Sequence, residues 1–173
     1  MASLHAIVAT LGYVVSPDRS QVLMIHRNKR PDDLHFGKYN GLGGKLTCEE
    51  QVLSGMRREI LEESGLVADH LVLRGTISWP GFGKQGEDWF GFLFLIDRWH
   101  GDIHTGNHEG TLEWVPVSSL LTFLLWPRDR QFLPLVFDDD PRPFYGCMPY
   151  AHGEMLSWSY ERIGEPEDAI RQR

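Results

Sequence analysis

The stretch Gly44-Lys-Leu-Thr-Cys-Glu-Glu-Gln-Val-Leu-Ser-Gly-Met-Arg-Arg-Glu-Ile-Leu-Glu-Glu-Ser-Gly-Leu66 carries the strongest helix signal in the chain. Its apolar residues recur every four positions, as expected for the buried face of a helix, at Val52, Met56 and Ile60. We therefore predict a helix over residues 47–64. Gly65 follows at the position where a glycine commonly ends a helix.

The start of this helix has a second local signal. Thr47 and Glu50 have the T-x-x-E spacing of a capping box, in which the two side chains satisfy free backbone N–H groups at a helix start. This pattern predicts that the helix begins near Thr47. It also gives Glu50 a structural role, which does not exclude a position facing a nearby cluster of acidic residues.

Three glutamates lie on one face of the predicted helix. Glu59, Glu62 and Glu63 are spaced i, i+3 and i+4. Like charges at these spacings repel by roughly 0.2–0.5 kcal/mol per pair, and the C-terminal half of a helix disfavours anions. A divalent cation would relieve this repulsion, and oxygen ligands suit Mg²⁺ or Mn²⁺. The alternative is a solvated acidic face.

The residues around the glutamates extend this hypothesis. Gly43 and Gly44 precede the helix and permit a close backbone approach that completes a phosphate or metal site, although an ordinary loop is the alternative. Arg58 is adjacent to Glu59. It is either a surface arginine paired with Glu62 or a support that orients the glutamates.

Outside this stretch the chain alternates short strand patterns with turns and a few helical segments. The predicted strands are residues 5–15, 22–26, 66–80, 89–96 and 110–116, with a terminal hairpin of 144–148 and 155–160. Residues 117–125 and 129–137 are predicted to be helical, and 28–40 and 81–88 to be loops. This order predicts one mixed α/β domain over residues 1–173, with its core at about 5–162 and a frayed tail at 164–173.

Composition limits the classes of partner. The 173 residues include 17 Lys and Arg against 24 Asp and Glu, a net charge of −7, which argues against binding to long nucleic acid. A small anionic substrate is compatible with this charge when a cation is bound. The two cysteines could form one bridge, but with no long apolar run and no signal-peptide pattern we expect a cytoplasmic protein that is not in a membrane. We also expect a monomer or homodimer.

The quoted stretch matches the pattern G-x5-E-x7-R-E-U-x-E-E-x-G-U at every fixed position. The matching residues are Gly44, Glu50, Arg58, Glu59, Ile60, Glu62, Glu63, Gly65 and Leu66. This resembles the Nudix box of the Nudix hydrolases, and the likeness extends over about residues 5–162. The resemblance implies an α/β/α sandwich with a mixed β-sheet, in which the box forms a loop-helix-loop catalytic motif.

The resemblance also implies roles for individual residues. Nudix enzymes bind one to three divalent cations, usually Mg²⁺ with Mn²⁺ possible, and cleave a nucleoside diphosphate linked to another group. Carried onto this chain, the implied metal ligands are Glu59, Glu62, Glu63 and the Gly44 carbonyl, with Arg58 as support and Lys45 as a phosphate contact. Glu109 resembles the position of a general base outside the box, and a loop carboxylate is the alternative.

Weaker motifs resemble the MutT-type branch, in particular its 8-oxo-dGTP diphosphatases. That likeness implies that Asn40 contacts a purine and Trp126 stacks on it, unless Trp126 is a core residue. Asp129 is expected to accept a hydrogen bond from the purine edge. Arg27 is expected to contact phosphate, with a surface arginine as the alternative. Some relatives carry two acids after Trp-Pro, whereas this chain has Arg128 at the first of these positions.

The expected function is therefore a Mg²⁺-dependent nucleoside triphosphate pyrophosphohydrolase that removes oxidised purine nucleotides such as 8-oxo-dGTP. One alternative is the same chemistry on another nucleoside diphosphate derivative or on RNA 5′ ends. A second is a non-catalytic nucleotide-binding module, although such modules commonly lack box glutamates that are all present here. A prenyl diphosphate isomerase is disfavoured, because Cys48 lies inside the box rather than near the glycine loop.

Overall fold

A computed structural model of the protein describes residues 5–164. Its elements are β1 (Ala6–Val15), β2 (Gln21–His26), β3 (Tyr39–Asn40), α1 (Val52–Ser64), β4 (Val67–Trp79), β5 (Asp88–His100), β6 (Thr111–Pro116), a 3-10 helix (Val117–Thr122), α2 (Asp129–Phe137), β7 (Phe144–Cys147), β8 (Tyr150–Ala151), β9 (Glu154–Met155) and β10 (Ser159–Arg162). Of the predicted tail at residues 164–173, all but Gly164 lies outside the described residues. Among residues 5–164 there is no helix long and apolar enough to cross a membrane.

Most strands form one mixed sheet in the order β10-β7-β4-β5-β1-β2-β3, with β6 also paired to β2. The β1–β5 and β4–β7 pairs are parallel and the other pairs are antiparallel. The predicted hairpin of the first two strands is confirmed, with Val14 opposite Leu23.

The two helices cover opposite faces of this sheet. Successive residues of a strand point to opposite faces, so Tyr13 packs in the core that contains Phe132 of α2, whereas Val14 packs in the core with Met56 and Ile60 of α1. All five are essentially inaccessible to solvent, and each such side chain contributes about 1.5–3 kcal/mol through burial. The expected α/β/α sandwich is thus confirmed.

Helix α1 ends as predicted but begins later. Gly65 has φ 80° and its N–H donates to the Leu61 carbonyl, a left-handed helix end. The start predicted at Thr47 is wrong, because the helix begins at Val52 and its N-cap Gln51 makes no side-chain cap. The Leu46 N–H donates to the Val8 carbonyl at 2.9 Å, so the preceding backbone is tied to β1 and is not free to coil.

The C-terminal pairing also differs from the prediction. Residues 144–147 pair with Ser159–Arg162 rather than with 155–160. A small separate hairpin of β8 and β9 is inserted between them. His152 and Gly153, both with positive φ, form the turn of this inserted hairpin and shift the partner strand along the chain. Of the predicted helix over 117–125, only Val117–Thr122 is helical, as a 3-10 turn.

Candidate active site

Arg58 links the glutamates of the box. Its Nε donates to Glu50 Oε1 at 2.6 Å, and its Nη1 donates to Glu59 at 2.9 Å and to Glu62 at 3.1 Å. Glu50 also accepts the Thr47 N–H at 3.1 Å, so half of the expected capping box forms, away from the helix start. These bonds hold the pKa of Glu50 down at about 2, with Arg58 as the main cause. Arg58 therefore restrains the side chains of two predicted metal ligands.

Glu63 is the deeply placed carboxyl of the cluster. Its Oε2 accepts the Gly43 N–H at 2.7 Å, which joins the helix to the glycine loop. Burial raises the pKa of Glu63 to about 8, and the negative charges of Glu59 and Glu109 add to this effect. A nearby cation would stabilise the ionised form of a carboxyl in this environment.

Gly43 and Gly44 lie so close to neighbouring atoms that a side chain at either position would collide with them. Gly43 has φ 142°, and a Cβ there would lie 2.2 Å from the Thr10 carbonyl oxygen. At Gly44 a Cβ would lie 2.5 Å from Glu59 Oε1. The Gly44 carbonyl accepts the Thr10 N–H at 2.8 Å and retains a second lone pair. The loop is therefore anchored on β1 and lies directly against the Glu59 carboxylate.

These groups fit a hard divalent cation. The donors that converge here are carboxylate and carbonyl oxygens, which are the ligands of Mg²⁺ and Mn²⁺. Within residues 5–164, no three His, Cys, Asp or Glu side chains form a ready-made metal cage, and Arg58 lies between Glu59 and Glu62. The loop and the helix thus supply oxygen ligands for a cation. In this conformation the Arg58 guanidinium lies between the carboxylates of Glu59 and Glu62.

Glu109 reaches the same region from the loop before β6. Its carboxylate accepts from Arg27, which also pairs with Asp33. Both acids and Arg27 are largely buried. Arg27, predicted to contact phosphate, here holds Glu109 in place through its guanidinium.

A cavity of about 250 Å³ connects the metal-ligand region to an aromatic wall. Its lining combines the chemical groups of both ends: Thr10, Arg27, Asn40, Gly43, Gly44, Glu63, Trp79, Phe82, Trp89, Glu109, Arg128 and Asp129. Small-molecule sites are typically concave and mostly apolar with a few placed polar groups. This cavity has that character, and it joins the acidic box to aromatic rings.

Several lining residues have buried polar atoms without a protein partner. They are Thr10 Oγ1, Arg27 Nε, Asn40 Oδ1, Trp79 Nε1 and Trp89 Nε1. Leaving such atoms unpaired costs about 1–3 kcal/mol each, so native proteins rarely do so without reason. The set contains N–H donors and an amide oxygen acceptor. It can therefore pair with a ligand that itself carries both hydrogen-bond acceptors and donors.

The predicted stacking residue Trp126 does not line this cavity. Its Nε1 donates to His35 at 3.1 Å, and its ring lies beside Lys38 and the guanidinium of Arg128. The aromatic wall comes instead from β4, β5 and their connecting loop. Trp79 and Trp89 are directly paired across the two strands, so the Trp pair flanking the predicted 81–88 loop is the sequence signal for this wall.

Three other predicted contacts lie at this end. Lys45 is exposed, with Nζ 5.0 Å from the centroid of the Trp89 ring. Asp129, at the start of α2, has a side chain that is only 13% exposed, and desolvation raises its pKa to about 6, opposed by Arg128 at 3.3 Å. Asn40 lies on β3 opposite Ile25, which also lines the cavity.

Comparison with known proteins agrees with this geometry. A family model described as the NUDIX domain matches residues 6–136. The oxidized purine nucleoside triphosphate hydrolase of Mus musculus is 34% identical over 155 residues, which are 89% of this chain and 94% of the relative. The protein of the same name from Danio rerio is 32% identical over 127 residues, 73% of this chain and 77% of the relative.

A solved structure extends the comparison to three dimensions. The MutT protein of Bacillus halodurans superimposes with a TM-score of 0.76 at 26% identity, over 90% of this chain and 97% of its own. The family match covers most of the chain, including the glycine loop, the glutamate helix and most of the cavity. The chain therefore belongs to the Nudix hydrolases, enzymes that act on phosphoric anhydrides.

Proposed function

We propose that the protein is a Mg²⁺-dependent nucleoside triphosphate pyrophosphohydrolase that acts on oxidised purine nucleotides such as 8-oxo-dGTP. One observation carries this proposal: a single cavity places the box residues Gly44 and Glu63 beside an aromatic wall with unpartnered polar atoms. A polyphosphate joined to a purine has these two chemical ends. The names of the mouse and zebrafish relatives support the same substrate class.

The box side chains would hold the cation and the phosphates. Glu59, Glu62, Glu63 and the Gly44 carbonyl are the proposed ligands, and Lys45 the proposed phosphate contact. A bound Mg²⁺ would neutralise phosphate oxygens and lower the pKa of attacking water. Glu109, which is ion-paired with Arg27, is the proposed general base for that water.

The aromatic end would hold the base. Trp79, Phe82 and Trp89 provide faces for stacking, worth roughly 1–3 kcal/mol per base. Asn40 Oδ1 and the Asp129 carboxylate provide acceptors for purine N–H groups. The Trp126 ring does not line the cavity and lies against the guanidinium of Arg128, which does. Stacking of Trp126 on the base remains a prediction.

The proposal is tested by steady-state kinetics with Mg²⁺ on 8-oxo-dGTP, ordinary dNTPs, ADP-ribose, dinucleoside polyphosphates and 5′-triphosphate RNA. We expect kcat/KM to be about tenfold or more higher for 8-oxo-dGTP than for dGTP, with monophosphate and pyrophosphate as products. A preference for another class would contradict the substrate assignment. Absence of turnover on every compound would favour a binding module.

Asp129 gives the reaction a pH dependence. Its pKa of about 6 means that the carboxylate accepts hydrogen bonds above that pH and is protonated below it. We expect kcat/KM for 8-oxo-dGTP to fall as the pH decreases through about 6, relative to Asp129→Asn, which cannot titrate. The ratio of the wild-type and Asp129→Asn pH profiles cancels the titration of the substrate phosphates, because that titration affects both enzymes equally. Parallel profiles would show that Asp129 does not contact the base.

We further propose that residues 1–173 form one domain that acts as a cytoplasmic monomer or homodimer. Cys48 and Cys147 are both exposed and unbridged, as is usual in a reducing compartment.

A further inference from the structure

Arg27 binds two acidic side chains that come from different loops. Its Nη1 donates to Glu109, in the loop before β6, and its Nη2 donates to Asp33, in the loop between β2 and β3. The side chains of Arg27, Asp33 and Glu109 are 12%, 18% and 24% exposed, so water and salt screen these ion pairs less than pairs on the surface. Each terminal nitrogen of the guanidinium therefore holds one carboxylate.

Asp33 is itself fixed within its loop. Its Oδ1 accepts the His35 N–H at 3.0 Å, while its Oδ2 accepts from Arg27. The Asp33 N–H donates to the Arg30 carbonyl at 3.0 Å, and the Asp33 carbonyl accepts the Phe36 N–H at 2.9 Å. The bonds from His35 and Arg27 hold the pKa of Asp33 down at about 2, so this carboxylate is ionised at any pH near neutral. The loop presents a fixed negative charge to the guanidinium.

The loop between β2 and β3 is closed at its base and tied to the Glu109 loop. The Arg27 N–H donates to the Lys38 carbonyl at 2.9 Å. Lys29 Nζ donates to the Asn107 carbonyl at 2.7 Å, and Asn107 Oδ1 in turn accepts the Glu109 N–H at 2.8 Å. The loop is thus a closed unit that contacts the Glu109 loop through both Arg27 and Lys29.

The Arg27 guanidinium has other orientations open to it without Asp33. Its Nε is buried without a protein partner, and Arg27 lines the cavity, whereas Asp33 does not. The guanidinium could turn both terminal nitrogens onto Glu109, in the bidentate arrangement that carboxylates favour, or turn toward substrate phosphates. The first change would neutralise Glu109 more fully and weaken it as a base, and the second would release it. A second anchor on the guanidinium prevents both.

We propose that Asp33 is a positioning residue that holds the Arg27 guanidinium in the orientation that keeps Glu109 available as the general base. Asp33 acts through Arg27 and does not touch the substrate. Because the two carboxylates share one guanidinium, Glu109 is held in place without an exclusive bidentate partner. This inference rests on the proposed function, in which Glu109 accepts the proton of the attacking water.

The first test is Asp33→Asn, with kcat and KM measured on the nucleotide that the wild-type enzyme turns over fastest. Asparagine keeps an oxygen for the His35 N–H but removes the charge that holds Arg27. We expect kcat to fall about tenfold or more, as for other residues that orient a reacting group. KM should change by no more than about twofold, because Asp33 lies outside the cavity lining. Asp33→Glu restores the charge and should recover most of the loss.

Asp32→Asn is the matched control. Asp32 is the exposed neighbour of Asp33 and lies outside the cavity lining. Its variant removes the same charge from the same loop but leaves both carboxylate partners of Arg27 in place. We expect wild-type kcat and KM.

A double variant shows whether Asp33 acts on Glu109. Glu109→Gln alone should lower kcat, and adding Asp33→Asn to it should lower kcat by no more than about a further twofold, because mutations that act on one group are not additive. A general loosening of the loop would instead lower kcat by the same factor in both backgrounds and raise KM. Circular dichroism checks that each variant is folded.

The outcomes separate this inference from the proposed function. No turnover of any nucleotide by the wild type would overturn both. Turnover that Glu109→Gln leaves unchanged would remove Glu109 as the base, and Asp33 with it. A loss in Glu109→Gln but wild-type kcat in Asp33→Asn would overturn only the role of Asp33. Equal losses in Asp33→Asn and Asp32→Asn, or additive losses in the double variant, would do the same.

Discussion

Glu63→Gln is expected to lower the turnover of nucleoside triphosphates with Mg²⁺ by about 10²-fold or more, while the protein stays folded. The loss follows from removing one negative oxygen ligand, and with it charge stabilisation by the cation at the reacting phosphate. The glutamine keeps the size of the side chain and can still accept the Gly43 N–H. Glu62→Gln is expected to have an effect of similar size. The measurement is kcat as a function of Mg²⁺ concentration.

A neighbouring carboxylate provides the control. Glu49 is exposed and lies outside the cavity, so Glu49→Gln changes the same net charge without removing a proposed ligand. We expect it to retain near-normal turnover. Near-normal turnover of folded Glu63→Gln would remove Glu63 from the metal site, and equal losses in both variants would point to an effect of net charge.

Gly43→Ala is expected to lower the free energy of unfolding by about 3 kcal/mol or more and to reduce activity in the fraction that remains folded. A side chain at φ 142° is strained, at a typical cost of about 1–3 kcal/mol. Its Cβ would also lie 2.2 Å from the Thr10 carbonyl oxygen, which is backbone and cannot rotate away. Hydrogen bonds on both sides, at Leu42 and Gly44, prevent the loop from moving out. Chemical denaturation measures the change.

Gly86→Ala separates strain from contact. Gly86 also has a positive φ, 85°, but a Cβ there would have no atom within 4 Å. We expect a cost of only about 1–2 kcal/mol from the left-handed backbone and no change in kcat. If the two variants lose the same stability, contact with Thr10 makes no contribution. If Gly43→Ala is as stable as wild type, the loop is not constrained as described.

The local patterns of the box predicted much of this structure. The apolar spacing of Val52, Met56 and Ile60 predicted a helix packed on the sheet, and Gly65 predicted its end. These signals depend on residues close together in sequence, which a helix brings into fixed relation without help from the rest of the chain. The sequence left Arg58 either as a surface arginine paired with Glu62, four residues away, or as a support for the glutamates, and the structure shows it bonded to both Glu59 and Glu62.

Predictions that depended on distant partners were less accurate. The capping-box pattern at Thr47 did not begin the helix, because Arg58 binds Glu50 and β1 binds the segment around Leu46. Sequence patterns also did not indicate that the guanidinium of Arg128 lies over the Trp126 ring, or that Trp79, Phe82 and Trp89 line the cavity; stacking of Trp126 on a base stays a prediction. Each competing contact joins residues that the sequence does not place side by side.

The sequence by itself determined the family, the helix that carries the glutamates and the chemical types of the proposed ligands, because these follow from short-range spacing. Only the tertiary structure decided which side chains meet. Pairing of β4 with β5 brings Trp79 and Trp89 together, and one ion pair across 82 residues of sequence joins Glu109 to Arg27. The selection of partners across long loops depends on packing of the whole sheet, whose many contacts act together and are not encoded in any one segment.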